Sequence, residues 1–190
     1  MTDKMRCPWG TDLALMLDYH DDEWGRPLYD DRELFELLIL EGAQAGLSWL
    51  TVLKKRENYR EAFDNFEIEK VANYDDKKVE ELLANPGIIR NRLKIKAAII
   101  NAELVLQIQK EYGSFSKFLW DYVANKPVVG SWQSFKDMPL TTALSDQISK
   151  DLKKRGFKFV GSTIIYSFLQ ACGIVNDHFA SCFVYRELVK

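Results

Sequence analysis

Residues 152–166 read Leu-Lys-Lys-Arg-Gly-Phe-Lys-Phe-Val-Gly-Ser-Thr-Ile-Ile-Tyr, a short turn between two helical patterns. The turn is bounded by Gly156 and Gly161, which predicts two consecutive helices joined by a hairpin. The first N–H groups of the second helix lack partners within that helix, and Ser162 and Thr163 add hydroxyl donors, so this end suits a phosphate. Positive side chains flank the turn at Lys153, Lys154, Arg155 and Lys158. The segment therefore predicts contact with a nucleic-acid backbone, although a solvated basic surface is the simpler alternative for any single cluster.

Elsewhere the chain favours helices. Apolar residues recur mainly with helical spacing and strand patterns are scarce, so we predict an all-α fold. Capping residues mark helix starts at Asp30–Asp31, Ser48, Asp75–Asp76 and Ser114. The predicted helices span about 13–19, 31–45, 48–63, 75–85, 88–112, 114–122, 144–156 and 162–173, and 124–142 is predicted to be a loop.

Length and composition limit the domain organisation and the class of protein. The chain has 190 residues, 47% of them hydrophobic and 13% aromatic, which supports one packed domain of two helical lobes over residues 1–190, with the hairpin at about 152–165. The net charge of −2 argues against a surface that is positively charged overall, but it permits a local basic face that could bind nucleic acid. The chain start lacks an apolar signal region, and no apolar run approaches the ~20 residues that span a bilayer. We therefore expect a soluble, cytoplasmic protein that acts as a monomer.

The segment 40–49 reads Leu-Glu-Gly-Ala-Gln-Ala-Gly-Leu-Ser-Trp and follows an apolar helical run. Helical periodicity turns Glu41 toward the interior. A buried carboxylate without a partner is costly, so we expect it to be paired, hydrogen-bonded or reserved for a ligand. Gly42 and Gly46 permit a close approach of the backbone, and Trp49 adds a flat aromatic face. A carboxylate and an indole ring together could bind a nucleobase. The alternative, to which we give equal weight, is that the segment is an ordinary helix end with a tryptophan in the core.

Two cysteine–histidine pairs lie at opposite ends of the chain. Cys7 and His20 are near its start, and His178 and Cys182, near its end, have an i, i+4 spacing that would place both on one helical face. Two cysteines and two histidines suit tetrahedral zinc, and four protein ligands make such a site structural. From the spacing alone, ordinary thiols and hydrogen-bonded histidines are the favoured alternative. The third cysteine, Cys172, is assigned to core packing.

Four longer motifs carry a resemblance over nearly the whole chain. They are residues 19–25, residues 41–59, residues 87–90, and residues 152–161 continuing to 176–178. Together they resemble the constitutive 3-methyladenine DNA glycosylases of bacteria, members of the helix-hairpin-helix superfamily. The resemblance implies that Cys7, His20, His178 and Cys182 bind one structural Zn²⁺, and that Glu41, Tyr19, Trp49 and Trp9 line the pocket for a damaged base. One departure is Met16, where the family often has a second tyrosine.

The resemblance also implies an activity. A monofunctional glycosylase of base-excision repair would flip 3-methyladenine out of alkylated double-stranded DNA and hydrolyse its N-glycosyl bond, with Glu41 as the catalytic residue. Superfamily members that also cleave the strand carry a lysine where this chain has Thr163, so no Schiff base is expected. Leu47 is the candidate for an apolar side chain that enters the duplex and fills the gap left by the flipped base. A position in the hydrophobic core is an equally weighted alternative for this leucine. Asp177 is expected to support the zinc ligand His178.

Two other functions come from different classes. A zinc-stabilised DNA-binding module without catalysis would account for the hairpin and the basic clusters, but it would leave Glu41 without a task. A catalytic zinc hydrolase would need one of the four metal ligands to be absent or labile. The glycosylase interpretation accounts for more of these features, and we prefer it.

Overall fold

A computed structural model of the protein describes residues 4–10, 13–134 and 136–189, and helices dominate it. The described residues form eleven α-helices and two 3₁₀ turns, Pro8–Gly10 and Asp64–Phe66. The helices are α1 (Ala14–Asp22), α2 (Asp31–Gln44), α3 (Trp49–Leu53), α4 (Arg56–Ala62), α5 (Ile68–Ala72), α6 (Asp76–Ala84), α7 (Arg92–Tyr112), α8 (Phe115–Asp121), α9 (Ala143–Arg155), α10 (Ser162–Ala171) and α11 (Phe183–Leu188). The predicted all-α class is confirmed. Across the described ranges, no helix is long and apolar enough to cross a membrane.

Side-chain caps form at four of the predicted helix starts. At Asp30, Ser48, Asp75 and Ser114, the side-chain oxygen accepts a hydrogen bond from the N–H group three residues later. Such a cap satisfies one of the N–H groups that have no partner in the first turn. These boundaries could be predicted because the hydrogen bond joins residues that are close in sequence.

Two predicted boundaries are wrong. The predicted helix 48–63 divides into α3 and α4, and Arg56, the first residue of α4, forms an ion pair with Glu23 at 2.5 Å. The long helix α7 begins at Arg92 rather than near Ile88, because the side chain of Asn91 caps it. An ion pair across 33 residues leaves no local pattern, so the first difference depends on tertiary packing.

The structure contains a two-stranded parallel sheet that was not predicted, and its first strand lies in the predicted loop 124–142. Strand β1 (Val128–Val129) pairs with β2 (Val175–Asn176), and Val128 lies opposite Val175. A strand of two residues has no periodicity, so the sequence did not reveal it. The pairing attaches the connection between α8 and α9 to the segment that leads into His178.

The hairpin between α9 and α10 is attached to its neighbours through its backbone. Gly156 ends α9 in the left-handed conformation, with φ of +105°. The side chain of Asn101 on α7 accepts a hydrogen bond from the N–H of Lys158 at 2.8 Å and donates one to its carbonyl at 3.0 Å. Ser149 on α9 donates to the carbonyl of Val160 at 2.6 Å. These contacts fix the hairpin's position relative to α7.

Two hydrophobic clusters stabilise the fold. The larger contains buried side chains from Tyr19 to Val175, with Trp120, Phe35 and Phe63 among the largest. The smaller joins the two ends of the chain and contains Cys7, Phe179, Cys182 and Val184. The N–H of Phe183 also donates to the carbonyl of Met5 at 2.8 Å. The terminal segments therefore lie together.

Gly173, directly after α10, packs against the connection between α1 and α2. Its φ is +71°, and a Cβ there would lie 2.3 Å from the carbonyl carbon of Arg26. We expect Gly173→Ala to lower the free energy of unfolding by about 3 kcal/mol, from strain and steric overlap together. Gly113→Ala is the control, because its φ is +92° with nothing within 4 Å of the added atom, and it should cost about 1 kcal/mol. Urea denaturation measures both, and equal losses would contradict the steric argument.

Candidate functional site

A cavity of about 160 Å³ lies beside the carboxyl-terminal end of α2. Most of its walls are aromatic or apolar, and a few polar side chains enter it. The lining residues are Trp9, Met16, Tyr19, Trp24, Glu41, Gln44, Trp49, Ser167 and Gln170. The structure thus brings together Glu41, Tyr19, Trp49 and Trp9, the four residues named for a base pocket, and places Met16 beside them.

Glu41 brings a carboxyl group to this cavity. It is only 5% exposed, and it has no hydrogen-bond or ion-pair partner within the described parts of the chain. Burial raises the pKa of its carboxyl group to about 8. At neutral pH the carboxyl group is therefore mostly protonated in the free protein, and a cation in the cavity would favour its ionisation.

Aromatic rings form the neighbouring walls. The ring of Tyr19 lies 5.3 Å from that of Trp49, at an interplanar angle of 44°, and 6.3 Å from that of Trp9. Burial, and then the nearby charge of Glu41, raises the pKa of the Tyr19 hydroxyl well above its ordinary value, so the hydroxyl keeps its proton. The indole Nε1 of Trp49 is buried without a hydrogen-bond acceptor among the described residues.

The hairpin approaches the cavity because Gly42 lacks a side chain. A Cβ on Gly42 would lie 3.2 Å from the Cβ of Phe159, so the glycine brings the hairpin against α2 next to Glu41. The end of α2 is stabilised by Lys94, whose Nζ donates to the carbonyls of Ala43 and Ala45 at 2.7 and 2.8 Å.

A second cavity of about 160 Å³ adjoins the first. The two share Glu41, Gln44 and Ser167, and the second extends to Leu47 and Thr163. Leu47 follows α2 and is 42% exposed, so its interpretation as a core leucine is wrong. The space between the end of α2 and the start of α10 therefore continues into the aromatic cavity.

The start of α10 differs in one respect from its predicted state. The hydroxyl of Ser162 donates to the carboxylate of Asp146 at 2.5 Å and lies 2.9 Å from the hydroxyl of Ser145. It is therefore occupied, contrary to the prediction of a free donor, because the first turn of α9 packs against this helix start. Lys158 is exposed beside it, and an added Cβ at Gly161 would meet nothing within 4 Å.

Cys7, His20, His178 and Cys182 form a buried cluster whose ligand atoms all lie within 4.8 Å of one another. Three of the sulfur–nitrogen distances, Cys7 to His178, Cys182 to His20 and Cys182 to His178, are 3.6 Å. A tetrahedral zinc ion with bonds of about 2.3 Å to sulfur and 2.0–2.1 Å to nitrogen also separates these atoms by about 3.6 Å. The four side chains therefore have the geometry to hold a metal ion.

Each histidine is oriented by its second ring nitrogen. His20 Nδ1 lies 2.8 Å from a carboxylate oxygen of Asp21, and His178 Nε2 lies 2.8 Å from the carbonyl oxygen of Trp24. These contacts leave His20 Nε2 and His178 Nδ1 to face the cysteine sulfurs. Partners of this kind fix the tautomer of metal-binding histidines.

Two details of this cluster differ from the sequence-based expectations. His178 and Cys182 do not share a helical face, since His178 lies in the non-helical segment that follows β2 and Cys182 caps α11. Asp177 does not support His178, and instead accepts hydrogen bonds from Trp132, Tyr166 and Gln170. Neighbouring side chains in the extended segment that continues β2 point in opposite directions, which separates Asp177 from the cluster.

Four residues that line the aromatic cavity were not predicted from the sequence, namely Trp24, Gln44, Ser167 and Gln170. A signal existed for the last two, because they are polar residues at i and i+3 in the otherwise apolar helix α10. Gln44 likewise lies three residues after Glu41 on α2. Trp24 had no such signal, since it lies in the turn after α1.

Comparisons with known proteins identify the family of this chain. The methyladenine glycosylase family model matches residues 9–185. DNA-3-methyladenine glycosylase 1 of Escherichia coli (strain K12) is 51% identical, over 95% of this chain and 96% of that protein. A crystal structure of 3-methyladenine DNA glycosylase I is 51% identical with a TM-score of 0.91, covering 94% of this chain and 98% of the other.

A further crystal structure shows a variant of 3-methyladenine DNA glycosylase I in complex with 3-methyladenine. It is 45% identical, with a TM-score of 0.91, and covers 94% of this chain and 96% of the other. Identity at this level over nearly the whole chain confirms the resemblance that the motifs indicated. The chain therefore belongs to the methyladenine glycosylase family, the bacterial DNA-3-methyladenine glycosylases that hydrolyse N-glycosyl bonds in base-excision repair.

Proposed function

We propose that this protein removes 3-methyladenine from alkylated double-stranded DNA by hydrolysing the bond between the base and its deoxyribose. The observation that carries the proposal is Glu41, a buried carboxyl group that has no partner among the described residues and lies in a cavity with aromatic walls. We also infer that the protein acts as a monomer. The related structure with bound 3-methyladenine supports the choice of base.

Charge distinguishes the damaged base from adenine. An adenine methylated at N3 and still attached to its sugar is a cation, whereas adenine is neutral. The faces of Tyr19 and Trp49 favour a cationic ring, by about 1 kcal/mol or more where water is excluded. Glu41 ionises beside the cation and accepts a hydrogen bond from the exocyclic amino group. Both contacts select the damaged base after it has been flipped out of the duplex.

The bond that breaks is already weak. When the bond from the sugar C1′ to the base nitrogen breaks, its electron pair returns to the ring, which leaves as a neutral base without protonation. Water adds to C1′ and loses a proton to solvent. Thr163 occupies the position at which strand-cleaving relatives carry a lysine, so no covalent intermediate with the protein forms. The protein's contributions are extrusion, selection and positioning of the nucleotide.

We also propose that residues 152–165 are the helix-hairpin-helix motif of a single two-lobed domain spanning 1–190. The hairpin contacts a DNA phosphate through backbone N–H groups at the start of α10, and Lys158 adds positive charge. The left-handed Gly156 and the open space around Gly161 support this, since both permit close approach of a strand. The phosphate contact positions the DNA while the cavity selects the base.

We further infer one structural Zn²⁺ bound by Cys7, His20, His178 and Cys182. The 3.6 Å sulfur–nitrogen distances and the oriented histidines support it. When bound, the ion links the two terminal segments, and four protein ligands leave it no open position for catalysis. The cluster also supports the cavity, because the ring of Trp24 lies 4.6 Å from that of His178.

Leu47 is proposed to fill the gap that a flipped base leaves in the duplex. We expect Leu47→Ala to lower kcat/KM for 3-methyladenine release from duplex DNA about tenfold, since unstacking is no longer compensated. Release from single-stranded alkylated DNA should be unchanged, because that substrate has no stack to fill. Leu93→Ala, at a position that is 72% exposed on α7, is the control. Equal losses on both substrates would contradict the wedge.

The direct test of the function is release of free 3-methyladenine from alkylated duplex DNA by folded, zinc-loaded protein. Release with multiple turnovers is the expected result. Binding of alkylated DNA without release would instead support the non-catalytic DNA-binding module and refute the proposed function.

A further inference from the structure

Asp177 has no role in the proposed reaction, although its carboxylate is the centre of a buried hydrogen-bond network. Asp177 is 1% exposed and accepts hydrogen bonds from Trp132 Nε1 at 2.6 Å, Tyr166 Oη at 2.5 Å and Gln170 Nε2 at 2.7 Å. All three donors are neutral, and no lysine or arginine in the described ranges forms an ion pair with it. A carboxylate held in this way is costly to bury, so its position constrains the side chains around it.

The network fixes the orientation of one cavity residue. Gln170 lines the aromatic cavity, and its Nε2 is held by Asp177. Asp177 already accepts three hydrogen bonds, so the amide of Gln170 cannot reverse without placing its oxygen against an acceptor. Its Oε1 has no donor within the described chain, so the polar atom that Gln170 can offer to a bound base is an acceptor.

A hydrogen-bond acceptor at Gln170 Oε1 affects whether the cavity favours an adenine or a guanine base. Adenine carries an amino group with two N–H donors at the ring position where guanine carries a carbonyl oxygen. Glu41 can accept from that amino group, but its carboxyl group can also donate when it is protonated. Gln170 Oε1 accepts in every protonation state of the cavity. It would therefore repel the guanine oxygen under conditions in which Glu41 could donate to it.

We propose that Gln170, with its amide oriented by Asp177, is a specificity-determining residue that accepts a hydrogen bond from the amino group of 3-methyladenine and discriminates against 3-methylguanine. The proposal rests on the glycosylase function above. Asp177 is a positioning residue, because it acts through Gln170 and does not touch the base.

The test is the ratio of kcat/KM values for release of 3-methyladenine and 3-methylguanine from DNA that contains both bases. Gln170→Met keeps the length of the side chain but removes the amide. We expect this ratio to fall about tenfold, because the adenine base loses one hydrogen bond and the guanine oxygen no longer meets an acceptor. Asp177→Asn should also lower the ratio, since an asparagine amide can donate to Gln170 and allow its amide to reverse.

Trp132→Phe is the matched control. It removes the donor to Asp177 Oδ1, whereas Gln170 donates to Oδ2, so the hydrogen bond to Gln170 stays in place and the ratio should stay within about twofold of the wild-type ratio. All variants are compared at equal zinc content and at a temperature well below unfolding. An unchanged ratio in Gln170→Met, or an equal fall in Trp132→Phe, overturns the inference while wild-type release still supports the glycosylase function. A wild-type protein that releases neither base refutes both.

Discussion

Replacing Glu41 with glutamine is expected to lower kcat/KM for 3-methyladenine release by about 100-fold or more, equivalent to about 2.7 kcal/mol of lost transition-state stabilisation. Glutamine has nearly the same shape as glutamate, so the change removes the charge while the cavity is retained. The loss is large because Glu41 is the carboxyl group that lines the cavity, and in the proposed mechanism it faces a cationic base in a buried site. Release of free base from alkylated duplex DNA measures the effect.

The same substitution should stabilise the folded protein in alkaline solution. The pKa of Glu41 is about 8 in the folded protein against an ordinary value near 4.5. Between these values the folded state binds a proton that the unfolded state has released, so the free energy of unfolding falls as pH rises from about 4.5 to about 8. Glutamine cannot ionise and avoids this loss. We expect Glu41→Gln to be several kcal/mol more stable than wild type at pH 9 and nearly equal at pH 4.5.

Glu36 provides a matched control on the same helix. It is also buried, but it forms an ion pair with Arg60 at 2.8 Å, and it does not line the aromatic cavity. Glu36→Gln should therefore lower stability at neutral pH and leave 3-methyladenine release by the folded protein unchanged. Unchanged release by Glu41→Gln would show that Glu41 has no role in the mechanism. Equal stability of Glu41→Gln and wild type at pH 9 would contradict the finding that Glu41 is buried without a partner among the described residues.

Replacing a proposed zinc ligand is expected to have the largest destabilising effect. Cys182→Ser should abolish stoichiometric zinc binding and lower the free energy of unfolding by about 4 kcal/mol or more, because zinc binding contributes directly to folding. Chelation of zinc from wild-type protein should lower its melting temperature to that of the variant. Base release should fall as well, since Trp9 and Trp24 pack on the histidine ligands, Trp9 at 5.2 Å from His20.

Cys172→Ala is the control for this experiment. Cys172 is equally buried, but it lies at the end of α10 outside the cluster of four ligands. The variant should keep one zinc per chain and lose only the modest stability expected from a small cavity. Zinc analysis and thermal unfolding with and without chelator distinguish the two cysteines. Full zinc content in Cys182→Ser, or a wild-type melting temperature unaffected by chelation, would refute the structural zinc.

Most of the local structure could be predicted because its causes are local. The caps at Asp30, Ser48, Asp75 and Ser114 join atoms three residues apart, and helical periodicity placed Glu41 in the interior. Periodicity could not predict the break before α4 or the strand pair β1–β2, because partners distant in sequence determine both.

The amino-acid sequence by itself determined the helical class, most helix boundaries, the family, and which side chains to name for the pocket and the metal cluster. Only the tertiary structure decided that Leu47 is exposed, that the hydroxyl of Ser162 is occupied by Asp146, and that Asp177 supports Gln170 rather than His178. These states depend on which atoms of distant segments meet. A hydrogen-bond partner or an exposed surface has no signature in residue spacing, because it is set by the packing of whole helices and loops against one another.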